Sequence, residues 1–234
     1  MPADVTVLGS SPVLAIVRFH EGGNVLGAID ALVQGGVDHL EVTIDTPGAL
    51  AAVEHAARNG RTVGVGTVLS GDQVRAAAAA GARFVVSPGL VPEVIEVAHQ
   101  LGLEPMPGIF TATEILAATA AGAKVMKLFP ASCGGPSYLR ALRGPFPLTP
   151  LVPTGGVRLD QIQAYLRAGA TAVALGSELV GRSAPRSDRD LERITTQAAQ
   201  AVAAARRTGS NVGETVRAGP ETSADAATPG DGGS

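Results

Sequence analysis

Short apolar runs alternate along this chain with stretches whose apolar residues recur at helical spacing. The runs at 13–17, 37–44, 61–67, 83–87, 103–106, 123–130, 148–153 and 171–175 read as strands. Leu26, Ile29, Ala31, Leu32 and Val33 give the first interval, 25–34, its helical spacing. Further helices are predicted over 46–58, 71–80, 92–101, 113–121, 137–142, 159–168 and 190–207. Their ends carry matching signals. Thr46-Pro47 places a proline in a first turn, Ser70 is an N-cap, and Gly35-Gly36 stops a helix.

Strand followed by helix, eight times over, is an α/β pattern and predicts a (β/α)8 (TIM) barrel in a single domain, 1–207. The chain also repeats itself. Gly36, Gly81, Gly122 and Gly169 each sit just before an even-numbered strand, as a left-handed helix cap feeding straight into a buried strand would. A doubly wound open sheet would normally carry a glycine fingerprint after strand one, and the Gly22-Gly23 turn is not one. From Thr208 to Ser234 the chain turns to Gly, Ser, Thr, Ala, Asp and Glu with almost nothing to bury, and a disordered tail is expected there.

Composition narrows the class. The chain is 45% hydrophobic and only 3% aromatic, so the core must be built from Ala, Val, Leu and Ile. A net charge of −3 without a basic run argues against nucleic acid. No apolar run reaches the roughly 18 residues that span a bilayer, and the N-terminus lacks the pattern of a signal peptide. Cys133 is the one cysteine, which fits a reducing compartment. A cytoplasmic protein with no membrane partner is expected.

Lysine is the informative residue. Against 16 arginines the chain has two lysines, Lys124 and Lys127, both in the sixth strand. Lysine, unlike arginine, can lose its proton in an apolar site and attack a carbonyl as a Schiff-base nucleophile. Residues three apart on a strand face opposite ways, so at most one of the two points inward. Lys127 lies nearer the C-terminal end, where barrel enzymes build their sites. In water only about one lysine in a thousand is neutral at pH 7, and desolvation by an apolar barrel, flanked by Met106 and Phe129, would raise that fraction.

Other polar residues fall at the same strand ends: Arg18, Glu41 and Thr43 (on one face with His39), Thr67, Ser87, Thr154 and Ser177. One buried acid with one buried lysine is the minimum set for imine chemistry, Glu41 moving protons through water. A structural pairing of Glu41 with Arg18 is the competing reading. Thr154-Gly155-Gly156 and Gly176-Ser177 follow the last two strands, the usual phosphate position in such barrels. The four histidines show no metal-binding spacing, and Cys133 has no partner nucleophile or base in sequence.

The chain resembles a known family on Leu40-Glu41-Val42-Thr43, Gly64-Val65-Gly66-Thr67-Val68, Ser87-Pro88-Gly89, Pro107-Gly108-Ile109, Lys127-Leu128-Phe129-Pro130, Pro153-Thr154-Gly155-Gly156-Val157 and Gly176-Ser177. The family is that of the class I 2-keto-3-deoxy-6-phosphogluconate aldolases, with their 6-phosphogalactonate and 4-hydroxy-2-oxoglutarate relatives. The resemblance implies a homotrimer of barrels that splits a phosphorylated 2-keto acid through an imine on Lys127, with Glu41 as acid and base and with no metal or other cofactor. It implies Thr67, Pro88 and Phe129 at the pyruvate end. Thr154, Gly155, Gly156, Gly176 and Ser177 would lie toward the phosphate, and Arg18 beside the substrate. Asp45 stands where many gluconate-type members carry arginine, so the galactonate epimer and 4-hydroxy-2-oxoglutarate stay open as substrates. A phosphosugar-binding barrel without imine chemistry is the reading from another class.

Overall fold

The structure, a computed structural model, describes residues 7–9 and 11–207, and the tail expected over 208–234 lies outside the described residues. The first half alternates β1 (Val13–Val17), α1 (Val25–Gln34), β2 (His39–Thr43), α2 (Ala49–Arg58), β3 (Thr62–Gly66), α3 (Gly71–Ala79), β4 (Phe84–Val86) and α4 (Pro92–Gln100). The second half runs β5 (Glu104–Met106), β6 (Gly108–Ile109), α5 (Ala112–Ala120), β7 (Met126–Leu128), α6 (Gly135–Arg143), β8 (Leu151–Pro153), α7 (Ile162–Arg167), β9 (Val173–Leu175), α8 (Ser177–Val180) and α9 (Asp188–Arg206). The strands are short because the chain leaves the sheet as soon as it has crossed one layer of core.

All pairings are parallel, in a curled sheet of order β5-β4-β3-β2-β1-β9 and a second of order β6-β7-β8. The fifth predicted strand, 103–106, forms β5, and a short strand that the sequence reading did not anticipate, β6, follows Pro107, which has no N–H to give a ladder. Its carbonyl still accepts from the Lys127 N–H at 2.9 Å. Between β8 and β9 a bridge joins Thr154 to Ala174. The sixth predicted strand, 123–130, contracts to Met126–Leu128, and Phe129 leads into a cis bond with Pro130. The short α8 has no counterpart in the sequence reading, because four residues cannot display a helical period.

The glycine echo extends further than the alternate units. Gly36, Gly81, Gly122 and Gly169 all have positive φ, and so do Gly60 and Gly102 before β3 and β5. At each of the six the glycine N–H bonds to the carbonyl three residues back, and the next N–H to the carbonyl five back, as in Val37 to Leu32 at 3.1 Å and Leu103 to Ala98 at 2.9 Å. Only glycine takes this conformation without a steric cost, so the cap stops the helix and aims the chain into the next strand.

Alternate strand residues face opposite ways. Leu40, Val42, Val63, Val65, Val85 and Leu128 join the helices in the larger core. Leu14, Ile16, Phe84, Val86, Met106, Val125, Val152, Ala172 and Ala174 form a second, inner core with Leu8. Val7 and Leu8 close the N-terminal ends of the strands. The Val7 N–H donates to the Glu104 carboxylate, and His39 Nε2 meets the Val7 carbonyl at 3.0 Å. Burying Leu8 fully contributes about 1.5–3 kcal/mol. Burial raises the Glu104 carboxyl above its ordinary value, against the Val7 N–H and Lys124, which pull it down. The same desolvation lowers His39, against the Val7 carbonyl and Asp38.

Candidate active site

The C-terminal ends of the same strands surround a cavity of about 760 Å³. Arg18, Thr67, Pro88, Lys127, Phe129, Thr154, Gly155, Gly156, Gly176 and Ser177 all line it. Glu41 lies behind the lining, with its Oε1 3.9 Å from Lys127 Nζ. The two side chains are 1% and 5% exposed, so the pair sits at the deep end of the cavity, Lys127 in its lining and Glu41 behind it.

Local sequence explains how the pair forms. Glu41 takes an inward position on β2, and its β3 neighbours facing inward are Gly64 and Gly66. A Cβ on Gly66 would stand 2.0 Å from Glu41 Oε1, and one on Gly64 would run into the Phe84 ring at 2.4 Å. Two missing side chains thus make room for one carboxylate and one ring. Neither Glu41 oxygen has a hydrogen-bond partner among the described residues. A buried acid without such partners is costly, and it is the kind of exception that marks a working site. Glu41 therefore pairs with Lys127, and the structural alternative of a Glu41–Arg18 pair is not what forms.

Val125 and Lys127 share the inward face of β7, so the stem of the lysine rises from apolar core. The ammonium nitrogen lies 5.2 Å from the centroid of the Phe129 ring. Lys124 lies at the opposite end of the strand, where its charge acts on Glu104. The two lysines thus serve opposite ends of the fold.

Arg18 donates to the Thr67 hydroxyl, and its Nε lies 4.0 Å from Asp45 Oδ1. Asp45 thus has a cation beside it within the chain itself. Thr67 has φ of 61°, the one non-glycine residue with positive φ among the described residues. Thr43 and Ser87 are spent internally, on Thr46 at 3.0 Å and on the Gly89 carbonyl at 2.7 Å. The Thr154 hydroxyl donates to the Val152 carbonyl at 3.0 Å, and the Thr154 carbonyl accepts from the Ala131 N–H at 2.7 Å. Tyr165, buried, fixes that turn by donating to the Ala131 carbonyl at 3.1 Å. Cys133 is exposed and free, outside the cavity lining. No group of three or more His, Cys, Asp or Glu side chains among the described residues is placed to hold a metal ion.

Sequence reasoning missed several rim residues. His20, Arg158, Glu178 and Arg182 also face the cavity. Arg158 makes two hydrogen bonds to Asp160, 3.0 Å from Nε and 2.7 Å from Nη2, and these hold the Asp160 carboxyl below its ordinary value. Arg158 and Glu178 directly follow the Gly155-Gly156-Val157 and Gly176-Ser177 stretches and could have been found there, whereas His20 and Arg182 need the folded loops to bring them to the cavity.

A buried lysine facing a buried acid at the floor of a cleft is the pair that imine chemistry asks for. Comparison with known proteins gives the family. The family model described as KDPG and KHG aldolase matches residues 5–197, and the chain belongs to that family. The "Probable 2-dehydro-3-deoxy-6-phosphogalactonate aldolase" of Rhizobium meliloti is 36% identical over 192 residues, covering 80% of this chain and 91% of that one. The "2-dehydro-3-deoxy-phosphogluconate aldolase" of Dickeya dadantii is 35% identical, over 85% of this chain and 94% of that one. Among solved structures, the KDPG aldolase of Legionella pneumophila, with pyruvate captured as a covalent carbinolamine, superposes with a TM-score of 0.73 at 31% identity, covering 82% of this chain and 95% of that one. Among the described residues, no helix is long and apolar enough to cross a membrane.

Proposed function

We propose that this protein is a class I aldolase that reversibly cleaves a 2-keto-3-deoxy-6-phospho sugar acid, 2-keto-3-deoxy-6-phosphogluconate first among them, to pyruvate and glyceraldehyde 3-phosphate. Lys127 attacks the C2 ketone and water leaves, forming an imine. Glu41 takes the proton of the C4 hydroxyl through water. The C3–C4 bond then breaks, its electron pair entering the imine as an enamine, and the aldehyde departs. Protonation at C3 and hydrolysis return free Lys127 and pyruvate. The chemistry uses no metal or added cofactor, since the lysine is itself the electrophile carrier.

The observation that carries this reading is the 3.9 Å approach of Lys127 to Glu41, both buried, with Lys127 lining the same cavity as Thr67, Pro88 and Phe129. Those three, with Arg18, take the pyruvate end, and Thr154, Gly155, Gly156, Gly176 and Ser177 take the phosphate end. The (β/α)8 barrel belongs to the same reading. The Thr154–Ala174 bridge and the single proline between β5 and β6 support closure of the two sheets into one ring over 1–207. The family resemblance supports a homotrimer, which light scattering on the full chain checks, and the single cysteine supports a place in the cytoplasm. The galactonate epimer remains the second substrate, favoured by the Rhizobium meliloti relative, and assays on both C4 epimers and on 4-hydroxy-2-oxoglutarate separate the three.

Borohydride trapping tests the reading. The protein is mixed with pyruvate, reduced, and its peptides are weighed. A pyruvyl adduct on Lys127 and not on Lys124 is expected. A folded protein without the adduct overturns the aldolase reading and leaves a phosphosugar-binding barrel in its place.

A further inference from the structure

The cations of the cavity are not equally available to an anion. Lys127 faces Glu41. Arg18 is engaged by Thr67 and by Asp45. Arg158 spends its Nε and Nη2 on the Asp160 carboxylate. Arg182 also faces the cavity, and it has no ion pair or hydrogen-bond partner for its guanidinium among the described residues. An unpaired surface arginine is ordinary in itself. This one stands at the mouth of a cavity whose other cations already have partners, so an incoming anion meets its charge first.

The backbone on either side of Arg182 is fastened. Gly181, with φ of 82°, ends α8, and Arg193 Nη2 donates to the Val180 carbonyl at 3.1 Å. Beyond Arg182, Ala184 is buried, the Pro185 carbonyl accepts from the Asn24 N–H at 3.1 Å, and Arg186 pairs with Glu21 at 3.1 Å. The segment is a strap tied to α9 on one side and to the loop after β1 on the other. It holds the backbone of Arg182 at the cavity lining while the side chain stays exposed.

We propose that Arg182 is a specificity-determining residue that grips the phosphate end of the substrate at the cavity mouth. The inference rests on the aldolase reading and extends it. A phosphate carries close to two negative charges near neutral pH, and a guanidinium offers it a two-pronged set of donors that lysine cannot copy.

The test compares the unsubstituted protein with Arg182→Ala and Arg182→Lys on a 2-keto-3-deoxy-6-phospho sugar acid and on the same acid without phosphate. In Arg182→Ala, the preference in kcat/KM for the phosphorylated acid should fall about tenfold, through KM and not kcat, the loss expected for one charge-assisted contact. Arg182→Lys should recover part of it. A preference that does not move, or a loss shared equally by both acids, overturns the proposal, the second outcome indicating a structural role for the strap. The unsubstituted protein is also trapped with pyruvate and borohydride. If no adduct forms there, the aldolase reading itself fails. If the adduct forms and Arg182→Ala keeps the phosphate preference, only the inference about Arg182 fails.

Discussion

The two ends of the strands bury charge in different ways. At the N-terminal ends, Glu104 and His39 are bridged by the peptide of Val7, and Leu8 seals the opening. At the C-terminal ends, Glu41 is more deeply buried than either, its oxygens lack hydrogen bonds, and its one charged neighbour is Lys127. The first end meets one atom of each side chain with backbone and leaves His39 Nδ1 and Glu104 Oε1 without hydrogen-bond partners among the described residues. The second leaves a carboxylate and an amine facing each other beside an open cavity. Both ends leave buried polar atoms unmet, and what sets the C-terminal end apart is a buried cation within 3.9 Å of its acid and a cavity open beside the pair.

Substitutions can break that contrast, beginning with the largest effect. Lys127→Arg keeps the charge and loses the nucleophile, so turnover and pyruvate trapping should disappear in a folded protein. Activity above a few per cent would show that the amine is not the reacting group. Glu41→Gln should lower kcat by roughly 10²–10⁴ while trapping by pyruvate persists. If only KM changes, Glu41 binds substrate without moving protons. At the other end, Leu8→Ala should cost about 2–5 kcal/mol of stability, read from denaturant melts, with kcat preserved. A parallel loss of kcat would mean that the two ends are not independent.

The smallest effect is in pH. His39 is held below its ordinary value of 6.5 chiefly by burial. Such a group contributes stability that is full above the unfolded value and is lost as pH falls through the folded one. Glu104, raised above 4.5 by burial, runs the other way, contributing below that value and losing the contribution as pH rises through the folded one. Thermal melts of the native sequence and of His39→Gln, taken from pH 7 to 5, should show the native sequence losing ground to the variant as the solution acidifies. Parallel curves would remove His39 from the account of the N-terminal end.

Much of this was written in the sequence. The strands and caps were legible because burial on both faces leaves continuous apolar runs, and because left-handed caps demand glycine. Lys127 stood out through its rarity, and Glu41 through its position in an apolar strand. What stayed hidden depends on contacts between distant segments. The role of Val7 and Leu8 needs the curvature that brings the N-terminus under the strands. The pairing of Arg18 with Asp45 needs two loops side by side, and Arg182 needs a strap tied down at both ends. The strand β6 was half legible, since Pro107 was visible but the pairing that resumes after it was not.

Thr67 shows what such a site demands of the rest of the molecule. A β-branched residue held at φ of 61° stores on the order of 1–3 kcal/mol in the folded state. That energy is returned on unfolding, so the most reactive corner of the protein is also one that pushes the chain toward denaturation. Thr67→Gly would relax the backbone and surrender the hydroxyl that meets Arg18. Selection for heat resistance alone would favour that exchange, and under the proposed function the contact with Arg18 is what it would give up.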